Sequence, residues 1–570
     1  MKIFKLFYMA ALVSMGMISC VDLDYVEITS DDEQWVYDNP VVGAANLLTS
    51  VYAHLPNGFD KNYEGGSGST LAAATDEAET ALSTASVHRF YNGGWSRNNP
   101  FSFTWDNSYS AIAEANNFLE KLDRIDLSGY VNNNNYEAMK NRFELFQYEA
   151  RFLRAYFYFE LVRAYGDVPF TLRSLTNAEA NVMKRTPANE VMNWIVDEMN
   201  AIAEYLPITY TTELTPEVGR VTRIMCLALK ARTLLYQASP LFNIDNDPER
   251  WLVAARANHD VVKYATKWGL SLDDYAKIWA NGNGDGTEVI FANKQGMLNS
   301  WEKYNYPIGV ENGQGGMCPT QTLVDAYEFN DATGETFGQR YADVTINVTK
   351  ENAYQGLDPR FELTVARNGD RWPGYNNQPL ETFEGGVNGA PIQNATPTGY
   401  YLKKYCDGNV NISTNYSTTT LHAWVLMRLG EFYLNYAEAA YHYYGDADSK
   451  GEFSLSPNDA VNVLRDREDV MMPHWSGNPQ DWLERYERER LVELAFEDQR
   501  FWDVRRWKKG NELAQVQVAS VKKSAAGEII VTRVQKSRGW YDKYYFFPIP
   551  FTEINKNPNL TQNPGWDNDK

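Results

Sequence analysis

The chain has 570 residues, a formal net charge of −21 and an aromatic content of 14 %. Its negative charge argues against a nucleic-acid-binding protein, because such proteins need a basic face that displaces phosphate counterions. Its four cysteines are too few for a disulfide-stapled scaffold, and a chain of this length can bury a large hydrophobic core without one.

The N-terminus has the features of a secretory signal peptide. Lys2 and Lys5 give it a charged start, an apolar run covers residues 6–17, and Cys20 follows closely. The run is shorter than the ~20 apolar residues that a transmembrane helix needs. The sequence therefore predicts a lipoprotein signal peptide over residues 1–19 and lipid attachment at Cys20. Removal of the two lysines changes the net charge from −21 to −23.

Polar and acidic residues predominate at 20–38, which predicts a flexible tether. Helical periodicity then dominates the N-terminal region, residues 39–268. Between Phe143 and Ala164 apolar side chains recur every three or four residues, and the following glycine and proline end this helix. Further amphipathic helices are predicted near residues 188–206, 220–238 and 251–267.

Residues 269–420 are rich in Gly, Asn, Pro and Thr and are predicted to form a loop-rich insertion with short strands. Helical patterns return in the C-terminal region, residues 421–570. The predicted elements there are helices at 423–444, 457–467 and 479–505 and a hairpin of 529–534 with 541–547. The expected fold is mainly α, with paired helices of the tetratricopeptide kind. Long insertions are usually functional or disordered, and we expect the site in this one.

No motif indicates catalysis or a metal site. The six histidines lack the spacing of a zinc helix, and neither a Gly-x-Ser-x-Gly elbow nor a phosphate-binding glycine loop occurs. The run 281–286 begins like a calcium loop, but Ala292 stands where the bidentate glutamate belongs, so a glycine-rich turn is the preferred interpretation. The interleaved Glu and Arg residues of 485–506 are interpreted as a solvated, ion-paired helix face.

Three segments outside the predicted helices combine flat rings with amide or charged groups: 90–98, 301–306 and 371–376. A sugar ring has an apolar face and a rim of hydroxyl groups, and an aromatic ring beside hydrogen-bonding groups matches such a surface. The alternative interpretation is that these rings pin the loops to the core. The candidate ligand-binding residues in these segments are Phe90, Tyr91, Trp95, Arg97, Asn98, Trp301, Tyr304, Tyr306 and Trp372.

Several segments in consistent order carry a family resemblance. They include TDEA at 75–78, EARFLRAYFY at 149–158, RLGEFYLNYAEA at 428–439, the charged run 488–507 and the ending at 547–566. With these segments the chain resembles the SusD/RagB family of outer-membrane surface glycan-binding lipoproteins.

The resemblance implies a scaffold of four tetratricopeptide-like helix pairs with an irregular ligand-binding part packed on it. It also implies a lipid-anchored protein on the cell surface that acts as a lid on a SusC-like TonB-dependent transporter. The family's ligand arc comes from loops after the first helices and from the middle of the chain. Here that adds Asp76 to the candidates and supports Trp95, Arg97, Asn98 and the 301–306 rings.

Glycan capture is the preferred function, with no enzymatic activity and no cofactor. Peptide uptake by a lipoprotein of the same fold is an alternative, since an acidic groove would suit basic peptides. A glycoside hydrolase is the other alternative, because its two carboxylates carry no local signature. The sequence does not name the sugar, and the net charge disfavours a highly anionic polysaccharide unless a local basic pocket offsets it.

Overall fold

The computed structural model describes residues 40–59, 71–122, 124–210, 219–330, 336–344 and 353–567. The predicted signal peptide, Cys20 and the acidic tether lie outside the described residues. Ten helices of eight or more residues occur within the described ranges, and they are α1 (Pro40–Ala53), α2 (Phe103–Leu122), α3 (Tyr136–Tyr165), α4 (Ala188–Ile202), α5 (Arg223–Ala238), α6 (Glu249–Lys267), α7 (Leu429–Tyr444), α8 (Pro457–Arg465), α9 (Trp482–Glu493) and α10 (Gln499–Arg506).

Shorter helices lie between these long ones, at Arg89–Asn92, Asn177–Ala180, Ser300–Asn305, Gln321–Ala326, Pro359–Thr364 and Phe551–Lys556. The described strands are β1 (Ala78–Thr80), β2 (Val168–Pro169), β3 (Arg185–Thr186), β4 (Val289–Leu298), β5 (Met317–Pro319), β6 (Val365–Ala366), β7 (Tyr401–Leu402), β8 (Thr420–Arg428), β9 (Gln515–Lys523) and β10 (Ile529–Ser537). They form two-stranded antiparallel sheets that pair β1 with β5, β2 with β3, β4 with β8, β6 with β7 and β9 with β10.

The first eight long helices form a stack in which each helix packs against the next. The chain leaves this stack at the end of α6 and returns at α7, and α6 and α7 pack against each other across the insertion. The C-terminal half of helix α3 is buried on nearly every face because it carries rings all round, from Phe152 to Tyr165. The mainly α fold of four helix pairs with an irregular part beside them is therefore confirmed.

Three element predictions in the C-terminal half are wrong. Residues 423–428, predicted as the start of a helix, belong to strand β8, because this strand is buried almost without interruption and such a run has no diagnostic period. The helix predicted over 479–505 is broken, with Phe496 and Asp498 at positive φ between α9 and α10. Strand β10 pairs with β9 and not with 541–547, because a turn at Gly527 (φ 86°) brings β9 and β10 together.

An interior network of charges attaches the insertion to α9. The Arg428 guanidinium lies 2.7 Å from Glu288 and 2.9 Å from Glu493, and Arg360 lies 3.0 Å from Glu493. Burial alone would raise the pKa of the Glu493 carboxyl, but Arg467, Arg428 and Arg360 lower that pKa far below its usual range. The interleaved charges of the C-terminal helices therefore include a buried network, and the solvated face that their spacing predicted is wrong for these residues.

Candidate functional site

The aromatic loop at 90–98 does not present its tryptophan to solvent. Trp95 is 1 % exposed and makes edge-on ring contacts with Phe90, Phe547 and Trp566 at centroid distances of 4.7–5.0 Å. A ring covered on both sides by protein cannot receive a sugar. The prediction that Trp95 forms part of an exposed binding platform is therefore wrong.

The neighbouring residues of this loop also serve packing. Phe90 is buried and stacks on Phe101 at 4.1 Å, so its candidate role as a ligand-binding ring is wrong. Tyr91 is half-buried with the guanidinium of Arg538 4.4 Å above its ring. The alternative interpretation, in which rings pin the loop to the core, holds for these residues.

The polar residues at the end of the loop are more exposed to solvent than its rings. Arg97 is half-buried, with its guanidinium 4.8 Å from the centre of the Phe551 ring. Asn98 is exposed. Neither residue lines a cavity described below, so their assignment to ligand binding stays a prediction.

Asp76 is part of an ion pair in the interior. Its two carboxylate oxygens accept hydrogen bonds from Arg500 at 2.9 and 2.8 Å, and its exposed fraction is 4 %. Such a bidentate pair fixes the segment before β1 on α10. Both carboxylate oxygens are thereby engaged by the protein, which contradicts the prediction that Asp76 is a ligand-binding residue.

The rings of 301–306 are likewise buried. Trp301 is fully buried and packs edge-on against Phe59 at 5.2 Å. Tyr306 is also fully buried, and its hydroxyl group donates a hydrogen bond to the Val410 carbonyl at 3.1 Å. The platform predicted from these two rings is wrong, because the loop around Val410 and the N-terminal segment cover them. Tyr304 is half-buried, and its role stays a prediction.

Trp372 is the predicted ring that the structure places beside an open space. A cavity of about 710 Å³ lies within the insertion, between the turn at 275–281, the short helix Pro359–Thr364 and the loops at 370–372 and 403–409. Its lining includes Trp279, Asn281, Glu362, Asp370, Arg371, Trp372, Lys403, Tyr405, Asp407, Gly408 and Asn409.

The position of the Trp372 ring depends on a glycine and a buried tyrosine. A Cβ atom on Gly408 would lie 2.3 Å from Cζ3 of Trp372, so no larger residue fits there without movement. Tyr306 packs edge-on against Trp372 with a centroid distance of 6.0 Å. Trp372 remains half-buried, and its Nε1 has no hydrogen-bond partner in the described part of the chain. The indole is thus held firmly while part of it stays accessible.

Charged and amide groups line the same cavity as this ring. Lys403 Nζ lies 3.1 Å from Asp370, and Glu362 accepts a hydrogen bond of 2.6 Å from Arg367. Asn409 is exposed. A half-open indole beside amide, carboxylate and ammonium groups can contact the apolar face of a sugar and hydrogen-bond its hydroxyl groups.

The floor of the cavity contains residues that sequence reasoning missed. Trp279 and Tyr405 are buried, and neither Trp279 Nε1 nor the Tyr405 hydroxyl has a hydrogen-bond partner among the described residues. Beneath them Lys404 Nζ lies 3.6 Å from the Trp279 ring centre and 2.9 Å from Glu497. Burial lowers the pKa of Lys404 to about 8. No local pattern distinguishes these core residues from others, so the sequence offered no signal for them.

The run 281–286 serves as a structural turn. Asn283 is buried and donates hydrogen bonds to the carbonyls of Ile278 and Ala423 at 2.8 and 2.9 Å. Asp285 pairs with Lys294 at 2.6 Å. Within the described ranges no group of three or more His, Cys, Asp or Glu side chains is arranged to hold a metal ion.

Comparison with known families matches nearly the whole chain. The profile of the SusD family matches residues 278–566. A second profile, described as starch-binding associating with outer membrane, matches residues 24–235. No helix in the described ranges is both long and apolar enough to cross a membrane.

Individual relatives agree with these matches. SusD-like protein P2 of Formosa agariphila is 25 % identical over 492 residues, which is 82 % of this chain and 81 % of the relative. A SusD-like protein of Bacteroides fragilis superposes with a TM-score of 0.73 at 25 % identity, covering 92 % of this chain and 97 % of that one. A laminarin-binding SusD-like protein superposes with a TM-score of 0.63 at 20 % identity, covering 92 % and 99 %.

Proposed function

This chain belongs to the SusD family of carbohydrate-binding proteins associated with the outer membrane, and we propose that it captures oligosaccharide at the cell surface. We further propose that it is anchored through a lipid on Cys20 and delivers the glycan to a SusC-like TonB-dependent transporter, which it covers as a lid. The order of a signal-peptide-like start, a cysteine and an acidic tether supports the anchor.

The observation that carries the binding proposal is Trp372 beside the 710 Å³ cavity. A cavity of this size has room for a short oligosaccharide, since small-molecule sites usually occupy about 300–1,000 Å³. The half-buried indole supplies an apolar surface, and Asn409, Arg371 and Lys403 supply hydrogen-bond donors. The ligand platform is therefore proposed at Trp372 instead of at Trp95 and Trp301.

Binding without turnover is the proposed outcome at this site. A glycosidase needs one carboxylic acid to donate a proton and a second carboxylate to act as nucleophile or base. Two of the three carboxylates that line the cavity, Glu362 and Asp370, are held in contacts with Arg367 and Lys403. Side chains engaged in this way suit hydrogen bonding to hydroxyl groups better than proton transfer.

Isothermal titration of the purified protein with starch-type and laminarin-type oligosaccharides tests the proposal. We expect at least one of them to bind at micromolar strength, and Trp372→Ala to weaken binding at least about tenfold, or about 1.4 kcal/mol. Trp268→Ala is the matched control, because Trp268 is also half-buried but does not line the cavity.

Undiminished affinity in Trp372→Ala would exclude the cavity as the binding site. Release of new reducing ends during long incubation with the bound glycan would favour the hydrolase instead. Binding of basic peptides in preference to all glycans would favour peptide uptake.

A further inference from the structure

Asp407 differs from the other two carboxylates that line the cavity beside Trp372. Glu362 and Asp370 are held in contact with cationic side chains. The hydrogen bonds that the described residues donate to the Asp407 carboxylate come from neutral groups instead. A half-buried carboxylate that is not in an ion pair with a described residue therefore lies at the edge of the open space.

Two neutral donors orient this carboxylate. The backbone N–H of Asn409 donates to Oδ1 of Asp407 at 3.0 Å, and the hydroxyl group of Thr420 donates to Oδ2 at 3.2 Å. A carboxylate has about four acceptor positions, two on each oxygen. Within the described ranges each oxygen of Asp407 therefore keeps one position for a further donor, and both oxygens are oriented before a ligand binds.

Buried residues hold the backbone of Asp407. Its N–H donates to Glu302 Oε1 at 3.1 Å, and the same oxygen lies 2.9 Å from His422 Nε2. Its carbonyl accepts hydrogen bonds from the Tyr306 hydroxyl group and from the N–H of Val410 at 2.9 Å. Glu302, His422 and Tyr306 are all buried, so Asp407 cannot move without a rearrangement of the interior.

Tyr306 connects this carboxylate to the indole of Trp372. Its hydroxyl group binds the Asp407 carbonyl, and its ring packs edge-on against Trp372 at a centroid distance of 6.0 Å. Gly408, the residue after Asp407, lies so close to the indole that a Cβ atom there would be 2.3 Å from Cζ3 of Trp372. The acid and the ring are therefore held in a fixed position relative to each other.

We propose that Asp407 is a specificity-determining residue of this cavity and selects a neutral sugar with two adjacent free hydroxyl groups on the ring that covers Trp372. This inference rests on the proposed function. A sugar that lies on the indole directs its hydroxyl groups sideways, and the two oxygens of Asp407 accept one each. Hydrogen bonds to a charged acceptor are short and roughly twice as strong as those between neutral groups. A uronate or sulfate group at the same position would meet a like charge.

The requirement for two adjacent hydroxyl groups distinguishes between glycan linkages. In a 1,4-linked glucan the hydroxyl groups on C2 and C3 of each residue are adjacent and free. In a 1,3-linked glucan the oxygen on C3 forms the glycosidic bond, so the inner residues have no adjacent free pair. We therefore expect the cavity to prefer 1,4-linked chains.

Isothermal titration of the purified full-length protein with three glucose tetramers tests the inference. Maltotetraose and cellotetraose are 1,4-linked, and laminaritetraose is 1,3-linked. Asp407→Asn keeps the side-chain shape but loses one acceptor oxygen and the charge, and Thr420→Val removes the hydroxyl donor to Oδ2. Asp126→Asn is the matched control, because Asp126 also accepts from an N–H two residues on and from a hydroxyl group, both of Ser128, but does not line the cavity.

We expect at least one 1,4-linked tetramer to bind the wild type more tightly than laminaritetraose does. Asp407→Asn should weaken that binding at least about tenfold, or about 1.4 kcal/mol, and Thr420→Val should weaken it severalfold. Asp126→Asn should bind as the wild type does. The melting temperature of ligand-free Asp407→Asn should stay close to that of the wild type, which separates the loss of a ligand contact from a loss of folding.

Undiminished binding of the 1,4-linked tetramers by Asp407→Asn, or tighter binding of laminaritetraose by the wild type, would overturn the inference. If Asp407→Asn does not fold, undiminished binding by Thr420→Val overturns it instead. In each of these cases weaker binding by Trp372→Ala would leave the proposed function intact. Failure of the wild type to bind any glycan would overturn both.

Discussion

The loops around Trp95 and Trp372 have similar compositions, but the two tryptophans differ in their exposure to solvent. Both contain a tryptophan, a glycine, an arginine and asparagines within a few residues. Trp95 is 1 % exposed among five other rings, whereas Trp372 is half-buried beside a cavity.

The difference lies in what the rest of the chain places against each loop. The rings that cover Trp95 include Tyr544, Phe547 and Trp566, which come from the C-terminal tail. The contacts of Trp372 include Gly408 and one edge of Tyr306. A glycine leaves space where a larger side chain would close it, so the availability of a ring depends on distant residues and not on its own loop.

The largest expected effect is the loss of stability when the buried Trp95 is replaced. Trp95→Ala removes a fully packed indole and should lower the free energy of unfolding by about 3–5 kcal/mol. Urea unfolding followed by circular dichroism measures the change. Asn98→Ala, at an exposed position in the same loop, should stay within about 0.5 kcal/mol of the wild type. A small effect of Trp95→Ala would mean that the tail does not cover this ring.

The two regions also contain buried titratable groups of opposite charge: the Glu77 carboxyl group near the Trp95 loop and the Lys404 amine beneath the Trp372 cavity. Burial raises the pKa of Glu77, before the Trp95 loop, to about 8 and that of Asp498 to about 7. A carboxyl group whose folded-state pKa exceeds its unfolded value contributes stability at low pH and loses it as pH rises through the folded pKa. We therefore expect the free energy of unfolding to fall by roughly 1–3 kcal/mol between pH 6 and pH 8.

Equilibrium unfolding at both pH values tests this expectation, with Glu77→Gln as the comparison. The glutamine variant keeps the neutral hydrogen-bonding shape and should show a smaller pH dependence. The measurement ends at pH 8 because the pKa of Lys404, beneath the cavity, is lowered to about 8. Above that pH the titration of Lys404 makes the free energy of unfolding rise with pH and offsets the effect of the carboxyl groups. A variant with an unchanged pH dependence would exclude Glu77 as the titrating group.

The smallest expected effect on stability is at Gly408, which lies against the half-buried Trp372 ring. Gly408→Ala places a Cβ atom 2.3 Å from the Trp372 ring, so the indole must shift at a cost of about 1 kcal/mol. Glycan affinity should fall severalfold, as measured by titration. Gly374→Ala is the control, since its Cβ would meet a single atom at an ordinary 3.6 Å. Equal affinities of the two variants would show that the Trp372 position does not matter for binding.

Local patterns in the sequence were sufficient for the long helices. The spacing of apolar residues between 143 and 164 predicted a helix that the structure extends to Tyr136–Tyr165. The predictions failed where a segment is buried on every side, as in β8, because a continuous apolar run has neither the helical nor the strand period. They also failed for the partner of β10, since strand pairing depends on turn geometry and register.

The binding residues were less predictable than the helices. Composition favoured Trp95 and Trp301, which are in the core, over Trp372. The binding role of Trp372 stays a prediction. Asp76 was chosen because the family's ligand arc includes loops after the first helices, but it pairs with Arg500, which lies more than 400 residues further along the chain.

The sequence alone determined that the chain is mainly helical and that its ordered motifs resemble one family, and its charge argues against nucleic-acid binding. These properties follow from composition and from periodicity within a few turns of chain. The tertiary structure decided which rings are covered, which charges are paired and where a cavity remains. Those outcomes depend on contacts between segments far apart in sequence, since burial and pairing are properties of the packed interior and not of any single segment.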